Sequence, residues 1–506
     1  MAIIPANVLI GNPAAEWMKI GVPLVLQQDL KSSQFTAAAI VNDEAGAGQM
    51  GAQDILRLKI EDPKGKIHIT ATVFDAGTKK TTSTADVEGS SAETLIPAVD
   101  KLAKQLDSGA GEFSSKNSEA LKLLINAGQE QDQQKRFDLL KKAIDTDQNF
   151  GMAYFVALEM VARLGPANYQ TLLSQAKNHS ASFPPYDRAR FQLLDVQLER
   201  APMAQRTAAA EGLLKLAPND IDALTMISGI RFLNGDANGG TEALNKAIQL
   251  NPQNANLKAQ LAEGLVQSRR FAEAEQVLAK FDKNPAALAE LATTILLEGD
   301  VKRATDTAEK FIATVPNPDY QAILRATWIE LSGDRTKALA LAEGTKFTVP
   351  QIRGMALSEA TVWRLMNKDF VGARKTADLA VQSDNHPTAI TVVSSLLVSG
   401  DQTPEEWRKK VEGSPINPAM KQPILAYGFF LNGHYNEAVA EWRKAYEASE
   451  GTDLRVRTML AASLDRAGNT AQAQKIKVQP FLIRDFADVY GAVAFSEMRK
   501  LTGLVH

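Results

Sequence analysis

The stretches Gly299-Asp300-Val301-Lys302-Arg303-Ala304 and Gly333-Asp334-Arg335-Thr336-Lys337-Ala338 share one pattern, a turn followed closely by an alanine. The pattern recurs, with variations, at 269–274, 367–373, 433–438 and 468–473. The alanines that end these stretches are 30, 34, 35, 65 and 35 residues apart, and 65 is close to two periods. A period near 34 residues with a turn in its middle is typical of an array of helix pairs. The sequence therefore predicts a repeated fold whose surface binds a partner.

Several units end in a proline, which marks the end of the second helix because proline cannot continue it. Small and large apolar residues recur at equivalent positions, such as Ala262 and Leu265 in a first helix and Ala274 and Leu278 in a second. In these residues the chain resembles the tetratricopeptide repeat family. The resemblance implies a mainly α fold, an α-solenoid in which roughly nine helix pairs form a right-handed superhelix. The spacing is irregular at 151–206 and 400–418, where we expect the array to bend or be remodelled.

Residues 1–110 follow a different pattern. Short apolar runs, some with period-two alternation, are separated by turns and flanked by two helical stretches, which predicts a small α/β sandwich. Three stretches of this region, 11–17, 51–56 and 67–76, resemble the TolB-type N-terminal α/β domain, which is often joined to tetratricopeptide repeats in bacterial proteins. We therefore expect a TolB-type domain at 1–110, a linker at 108–111, the repeat array at 112–478 and a C-terminal capping helix segment at 479–506.

The bulk composition narrows the class of partner. The chain has 506 residues and a formal net charge of −3, with 56 lysines and arginines against 59 aspartates and glutamates. Such a balance gives no electrostatic footprint for nucleic acid. Cysteine is absent, which excludes disulfides, thiolate zinc sites and cysteine nucleophiles. No run reaches the roughly 18 apolar residues of a membrane-spanning helix, so we expect no membrane-spanning segment.

The N-terminus, Met1-Ala2-Ile3-Ile4-Pro5, lacks the basic and apolar segments of a signal peptide. The family resemblance implies a bacterial protein of the periplasm or cell envelope whose leader is absent from this chain. A cytoplasmic location stays open at this stage.

Catalytic and cofactor motifs are weak or absent. Residues 46–51 read Gly-Ala-Gly-Gln-Met-Gly, but a dinucleotide loop requires a helix that opens at the last glycine, and the next segment is strand-like. No two of the five histidines are three or four residues apart, so a helical metal pair is not predicted. The chain has no nucleophile elbow, phosphate-binding loop or kinase signature. We therefore expect no enzyme activity, no cofactor and no metal.

The resemblance places six residues on the groove-lining face of the first helices, and we take them as candidates for partner binding: Glu263, Gln267, Thr327, Glu330, Tyr427 and Phe430. Exposed aromatic side chains on a concave surface can anchor a peptide. Near the end of an array they more often pack against a cap, which here would be residues 481–501. Trp328 and Trp363 lie 35 residues apart and are expected to fill a repeated packing position.

The leading hypothesis is a non-enzymatic scaffold that binds a protein or peptide segment in the groove of the array. One alternative is a structural protein that self-assembles into homo-oligomers or filaments, because solenoids can stack end to end when their termini are not polar. Another is a regulatory or sensory module that acts through a partner.

Overall fold

A computed structural model describes residues 1–12, 15–32, 39–49, 52–62, 66–89, 95–162, 166–252, 254–281, 284–383, 389–398, 403–414, 416–483 and 490–504. The fold is mainly α, with a small sheet region at the N-terminus followed by helix pairs in an arrangement like that of tetratricopeptide repeats. The chain forms two compact units, Met1–Arg231 with Asn238–Leu257, and Phe232–Ala237 with Lys258–His506.

The first unit begins with a sheet and three helices. Their bounds are β1 Ala2–Ile3, β2 Asn7–Val8, α1 Met18–Asp29, β3 Ala39–Ile40, α2 Glu44–Gln49, β4 Asp54–Glu61, β5 Ile67–Asp75, β6 Thr81–Gly89 and α3 Leu95–Leu106. The strand order is β3-β1-β4-β5-β6, with β2 also paired to β4. Strand β1 is parallel to β3 and β4, whereas β4, β5 and β6 pair antiparallel. The predicted α/β region is therefore present.

Strand β5 shows why this sheet has a buried face. Its residues alternate, so that Ile67, Ile69, Ala71 and Val73 are buried while the residues between them are half-buried. Successive side chains of a strand point to opposite faces, so this alternation turns one apolar row towards the helices. Helices α1 and α3 contact each other and the sheet.

A proline inside α1 ties that helix to the sheet. Pro23 has no backbone N–H, so the carbonyl of Lys19, four residues earlier, lacks its helical partner. The backbone N–H of Ala6 donates to that carbonyl at 3.1 Å. The proline therefore leaves an acceptor that the segment between β1 and β2 uses.

The apolar core of the sheet region continues into the helices that follow it. One buried cluster runs from Ile3 through Phe113 and Tyr154 to Leu194. The expected linker at 108–111 lies inside this unit, where Ala110 is buried and the N–H of Gly111 donates to the carbonyl of Asp29 at 2.7 Å. Residues 108–111 therefore do not separate two cores.

Paired helices make up the remainder of the chain. Their bounds are α4 Ser118–Gln129, α5 Gln133–Thr146, α6 Gly151–Ala162, α7 Pro166–His179, α8 Pro185–Leu198, α9 Met203–Leu216, α10 Ile221–Asn234, α11 Ala237–Leu250, α12 Ala255–Gln267, α13 Phe271–Leu278, α14 Pro285–Glu298, α15 Val301–Ala313, α16 Pro318–Leu331, α17 Arg335–Gly344, α18 Pro350–Met366, α19 Phe370–Gln382, α20 Ala389–Leu397, α21 Pro404–Glu412, α22 Pro418–Leu431, α23 Tyr435–Ala448, α24 Leu454–Arg466, α25 Thr470–Ala473 and α26 Gly491–Thr502.

In the described part of the chain, α4 to α25 form eleven pairs, more than the nine expected from the period. The described parts of the irregular stretches at 151–206 and 400–418 also contain helices, α6 to α9 and α21 among them. There the apolar spacing alone did not reveal the pairs, because tertiary packing supports helices whose local pattern is weak.

The repeated turns share one backbone feature. A residue with positive φ stands at Gly235, Arg269, Gly299, Gly333, Lys368, Gly433 and Gly468. After Gly299 and Gly333 an aspartate caps the next helix, because the Asp300 and Asp334 carboxylates accept from backbone N–H groups three residues later at 3.0 Å. The glycine and the aspartate therefore end one helix and begin the next, as the sequence predicted.

The alanine that follows each turn is a contact point between helices. Ala274, Ala304, Ala338, Ala373 and Ala438 are each 0% exposed. Trp328 and Trp363 are each 1% exposed, which confirms their shared packing position. Small side chains at these positions let neighbouring helices approach closely.

Candidate functional site

The helix-pair pattern ends at α25, which is only four residues long. Beyond it, 477–483 is neither helix nor strand, and α26 is the last helix. We call residues 479–504 the C-terminal segment, described here at 479–483 and 490–504. It belongs to the second compact unit. Where it lies decides what the groove of the array can bind.

Hydrogen bonds join the C-terminal segment to the earlier helices of its unit. Gln479 Nε2 donates to the carbonyl of Phe232 at 3.2 Å, and Thr293 Oγ1 on α14 donates to the carbonyl of Ile483 at 3.3 Å. Arg499 Nη1 donates to the carbonyl of Leu331, at the end of α16, at 2.8 Å. The segment therefore satisfies backbone and side-chain groups on helices more than 160 residues away in sequence.

The same segment also contacts the last helix pairs. Helix α26 packs on α24 as well as on α16. The ring of Tyr490 is stacked on that of Tyr427 in α22, with centroids 4.2 Å apart. Arg457 Nη1, on α24, donates to Gln479 Oε1 at 3.1 Å. One short segment therefore bridges the beginning and the end of the second unit.

This bridging shows on which side of the array the segment lies. Helix α26 has 12 residues and is about 18 Å long. Between α16 and α24 the array advances four pairs, which at roughly 10 Å between the first helices of successive pairs spans about 40 Å if straight. Because α26 touches both, the array must curve around it. The C-terminal segment lies on the inside of that curve, and we call the helix surface it contacts the inner face.

Most of the described C-terminal segment is buried. Phe481 and Phe495 are 4% and 1% exposed, and their rings meet edge to face with centroids 6.1 Å apart. Val493 and Met498 are 1% and 0% exposed. The segment thus packs apolar side chains along the inner face, whereas a cap would cover only the end of the array.

Two charged groups of α26 are also buried, and each has partners. Glu497 Oε2 is 2.9 Å from Arg466 Nη2, and Glu497 Oε1 is 2.8 Å from Lys500 Nζ. Arg499 donates to the carbonyls of Leu331 and Leu504, and burial lowers its pKa. A buried charge is tolerated only when such partners replace its lost hydration.

The structure places Thr327 and Glu330 inside the array, at 2% and 5% exposed. The hydroxyl of Thr327 donates to a Glu359 carboxylate oxygen on α18. Both oxygens of Glu330 accept from the Arg335 guanidinium, which also donates to Asn367 Oδ1 at 2.9 Å. Both candidates therefore hold neighbouring helices together.

The two aromatic candidates are buried as well, at 5% exposed each. Tyr427 lies between Trp442, 4.8 Å away by ring centroids, and Tyr490 of the C-terminal segment. Phe430 packs against Tyr435, and the Arg466 guanidinium lies 5.7 Å from its ring centroid. Tyr427 thus contacts a segment of polypeptide, although that segment belongs to the same chain.

The remaining candidates, Glu263 and Gln267 on α12, are half-buried. The turn after α12 reaches the C-terminal segment, because Arg269 Nη2 donates to the carbonyl of Thr502 at 2.6 Å. Sequence analysis missed Arg269, Thr293, Arg457 and Arg466 as contacts of the inner face. In the sequence these residues are recognisable only as polar side chains on, or just after, the first helix of a pair. Polar residues at such positions are equally typical of a solvent-exposed surface.

A cleft of about 420 Å³ remains beside α26. It is lined by the α16–α17 turn, by Asn367 at the end of α18, and by Ser496 and Lys500 of α26. Its walls are largely polar, with Glu330, Asp334 and Arg335 among them. The C-terminal segment therefore does not fill the inner face completely.

The glycine motif at 46–51, metal-binding clusters and membrane-spanning helices are the other features to consider. Residues 44–49 form helix α2, so the described part of the glycine motif is helical, while Gly51 lies outside the described residues. Within the described ranges, no group of three or more histidine, aspartate or glutamate side chains could hold a metal ion. The described helices include none with the length and hydropathy needed to cross a bilayer.

Comparison with known proteins gives one family match. The tetratricopeptide repeat model matches residues 231–282, which cover the end of α10 through α13 and are well under half of the chain. A search of curated proteins finds no match. Among solved structures, one titled "Structure of Naa15/Naa10 bound to HypK-THB" is similar at 14% identity, over 71% of this chain and 62% of that chain, with a TM-score of 0.26.

The resemblance of residues 1–110 to the TolB-type domain is tested by none of these matches and stays a prediction. The family match falls where the turn and alanine pattern begins, at the Arg269 turn and Ala274. It supports a tetratricopeptide repeat at residues 231–282, within an array of helix pairs arranged like that repeat.

Proposed function

We propose that this protein is a non-enzymatic scaffold that binds a protein segment along the inner face of its second unit. One observation carries the proposal: the inner face already holds a stretch of polypeptide, the C-terminal segment. Repeat arrays present extended concave surfaces of this kind to their partners. A surface that accepts one partly helical segment has the shape to accept another.

The contacts explain how such a segment would be held. Thr293 donates to a backbone carbonyl, while the carbonyls of Phe232 and Leu331 accept from side chains. The Thr293 contact needs only a backbone carbonyl and is independent of the partner's sequence, whereas the other two contacts need polar donor side chains on the partner. Specificity would come from the aromatic side chain of Tyr427 and from the charge of Arg466.

A photo-crosslinking experiment tests the proposal on the full chain. A photoreactive phenylalanine analogue replaces Gln267, which is half-buried beside the inner face, or Lys302, which is exposed at the start of α15. We expect irradiation in cells to attach a second, discrete polypeptide at position 267, with no such product at position 302.

The variant Arg269→Ala, combined with the analogue at 267, should raise the yield because it removes a hydrogen bond that holds the chain's own C-terminal segment on the inner face. Equal capture at 267 and 302, or no discrete product at either position, contradicts the proposal. The full chain is required, since cutting near residue 111 would divide the core that the sheet shares with α4 to α8.

A further inference from the structure

We infer that the partner of the inner face is a protein segment with the chemistry of this chain's own C-terminal segment, which acts as its intramolecular competitor. This rests on the proposed function and adds the class of partner and the condition for its binding. The contacts of the bound segment show which chemical groups the inner face accepts. Its side chains therefore define the pattern that a partner has to match.

The apolar part of that pattern has two pieces. The first is a triplet outside helices and strands, Phe481-Leu482-Ile483, whose members are 4%, 7% and 1% exposed. The second is a helix that buries Val493, Phe495 and Met498. Phe495 and Met498 are three residues apart and so share one face of the helix. A partner needs a short apolar stretch outside a helix and an amphipathic helix with one aromatic residue.

The polar part of the pattern is a carboxylate on the helix. Glu497 meets the Arg466 guanidinium, with Nη2–O distances of 3.1 and 2.9 Å. The Arg466 guanidinium also lies 5.7 Å from the centroid of the Phe430 ring. A partner without an acidic side chain at this position would bury part of a guanidinium without its counter-ion, which costs affinity. The inner face therefore selects an acidic residue two positions after the aromatic one.

Several features make the C-terminal segment an exchangeable occupant. Helix α26 is not needed to complete a helix pair, because α24 and α25 already pair with each other. The described part of the segment forms no strand pairing. It is joined to α25 through residues 474–478, of which Gln474, Lys475 and Lys477 are exposed. The polar cleft of about 420 Å³ gives a second segment a place to begin contact.

Replacement of the C-terminal segment by a competitor is favoured over dissociation that leaves the inner face empty. Leaving the inner face empty would expose Tyr427 and the apolar side chains beneath the segment to water. A competitor that buries a similar apolar area removes that cost. Because the native segment is tethered, its effective concentration is in the millimolar range, and a free competitor has to overcome it.

The test keeps the whole chain. A site for a specific protease replaces residues 474–478, and the folded protein is cut there, so that the C-terminal segment stays bound only by its contacts. A fluorescent synthetic peptide covering residues 479–504 is then added, and its uptake is followed by anisotropy. We expect the cut protein to take up the peptide at least about 100-fold more tightly than the uncut protein.

Two variant peptides distinguish the contribution of the Glu497 charge from non-specific apolar binding. Glu497→Gln should bind about tenfold more weakly, because it loses the charge opposite Arg466. Leu501→Ala, on the exposed side of the same helix at 38% exposed, should bind within about twofold of the native peptide. Equal weakening by both substitutions overturns the selection of an acidic residue.

Further outcomes count against the inference and are distinct from failure of the proposed function. If the cut protein stays folded and takes up no peptide, the segment is a permanent part of the core and the inference is wrong. If photo-crosslinking captures a partner that excess C-terminal peptide does not displace, the scaffold function stands and the shared chemistry fails. Displacement of the captured partner by the native peptide, and about tenfold less by Glu497→Gln, supports the inference.

Discussion

Arg466 on α24 and Glu497 on α26 form an ion pair that joins the last full helix of the array to the C-terminal segment, with Nη2 2.9 Å from Oε2. The glutamate side chain is 7% exposed and the arginine side chain 36%. The pair therefore lies at the edge of the inner face, partly shielded from water.

A double-mutant cycle measures the strength of this pair. We expect Arg466→Met and Glu497→Gln to show a coupling energy of about 1 kcal/mol in urea unfolding. Water at the partly exposed guanidinium makes this pair weaker than a fully buried ion pair. The control pair, Glu405 and Lys409, is 82% and 76% exposed and should show no measurable coupling. Equal coupling in the two cycles would show that the inner-face pair is not specially shielded.

The turn glycines make a separate prediction. Gly333 has a φ of +105°, and a methyl group added there would meet nothing within 4 Å. Gly333→Ala should therefore lower the free energy of unfolding by about 1–2 kcal/mol through backbone strain alone.

Gly344→Ala is the matched control for that substitution. This glycine ends α17, its φ is not positive, and a methyl group there also meets nothing within 4 Å. Thermal unfolding of this variant should be unchanged or slightly raised. The prediction is wrong if both variants lose stability equally.

The repeated alanine is expected to limit side-chain size. Ala274 is 0% exposed in α13, whereas Ala272 in the same helix is exposed. Ala274→Leu should lower the free energy of unfolding by about 1–3 kcal/mol, because added methylene groups force the packed helices apart. Ala272→Leu should change it by less than about 0.5 kcal/mol. Chemical denaturation of both variants distinguishes a packing contact from a general intolerance of leucine.

Asp29 in the first unit predicts a pH dependence. Burial, with the nearby charge of Asp100 as the next cause, raises the pKa of the Asp29 carboxyl well above its ordinary value. An acid whose pKa is raised in the folded state favours folding while it is protonated. Its contribution is fully present below the unfolded-state pKa of about 4 and is lost as the pH rises through the raised pKa.

The substitution Asp29→Asn should therefore stabilise the protein at pH 7 and flatten the fall in stability between pH 4 and neutrality. The exposed Asp86→Asn is the control and should leave the profile unchanged. Melting temperatures measured from pH 4 to pH 8 check both variants. A variant at Asp29 that is less stable at pH 7 would show that the buried carboxylate is needed in its charged form.

Much of the fold could be predicted from local sequence. The glycine and aspartate at 299–300 and 333–334 fix a turn through their own backbone preferences, and the alanines at 304 and 338 mark the close contact that follows. The sheet strands β4 to β6 were found by their alternation. The extra helix pairs at 151–206 were not counted, because their apolar spacing is irregular and tertiary packing supports them.

The candidate site was predicted only in part. Thr327, Glu330, Tyr427 and Phe430 were placed on groove-facing helices, and the structure shows them buried by neighbouring helices or by the C-terminal segment. Exposure depends on which distant residues cover a side chain, and a helical period contains no such information. Their role towards a partner stays a prediction for the state in which the segment has been displaced.

The sequence by itself determined the repeat, the turn chemistry and the small residues at helix contacts, because these depend on residues within one or two helices of each other. Only the tertiary structure decided that residues 479–483 and 490–504 lie along the inner face, where Arg499 meets Leu331, 168 residues away, and Gln479 meets Phe232, 247 residues away. Apolar burial has no preferred direction along the chain. The curvature of the array forms the inner face, and the side chains of the segment then match the contacts that this face offers.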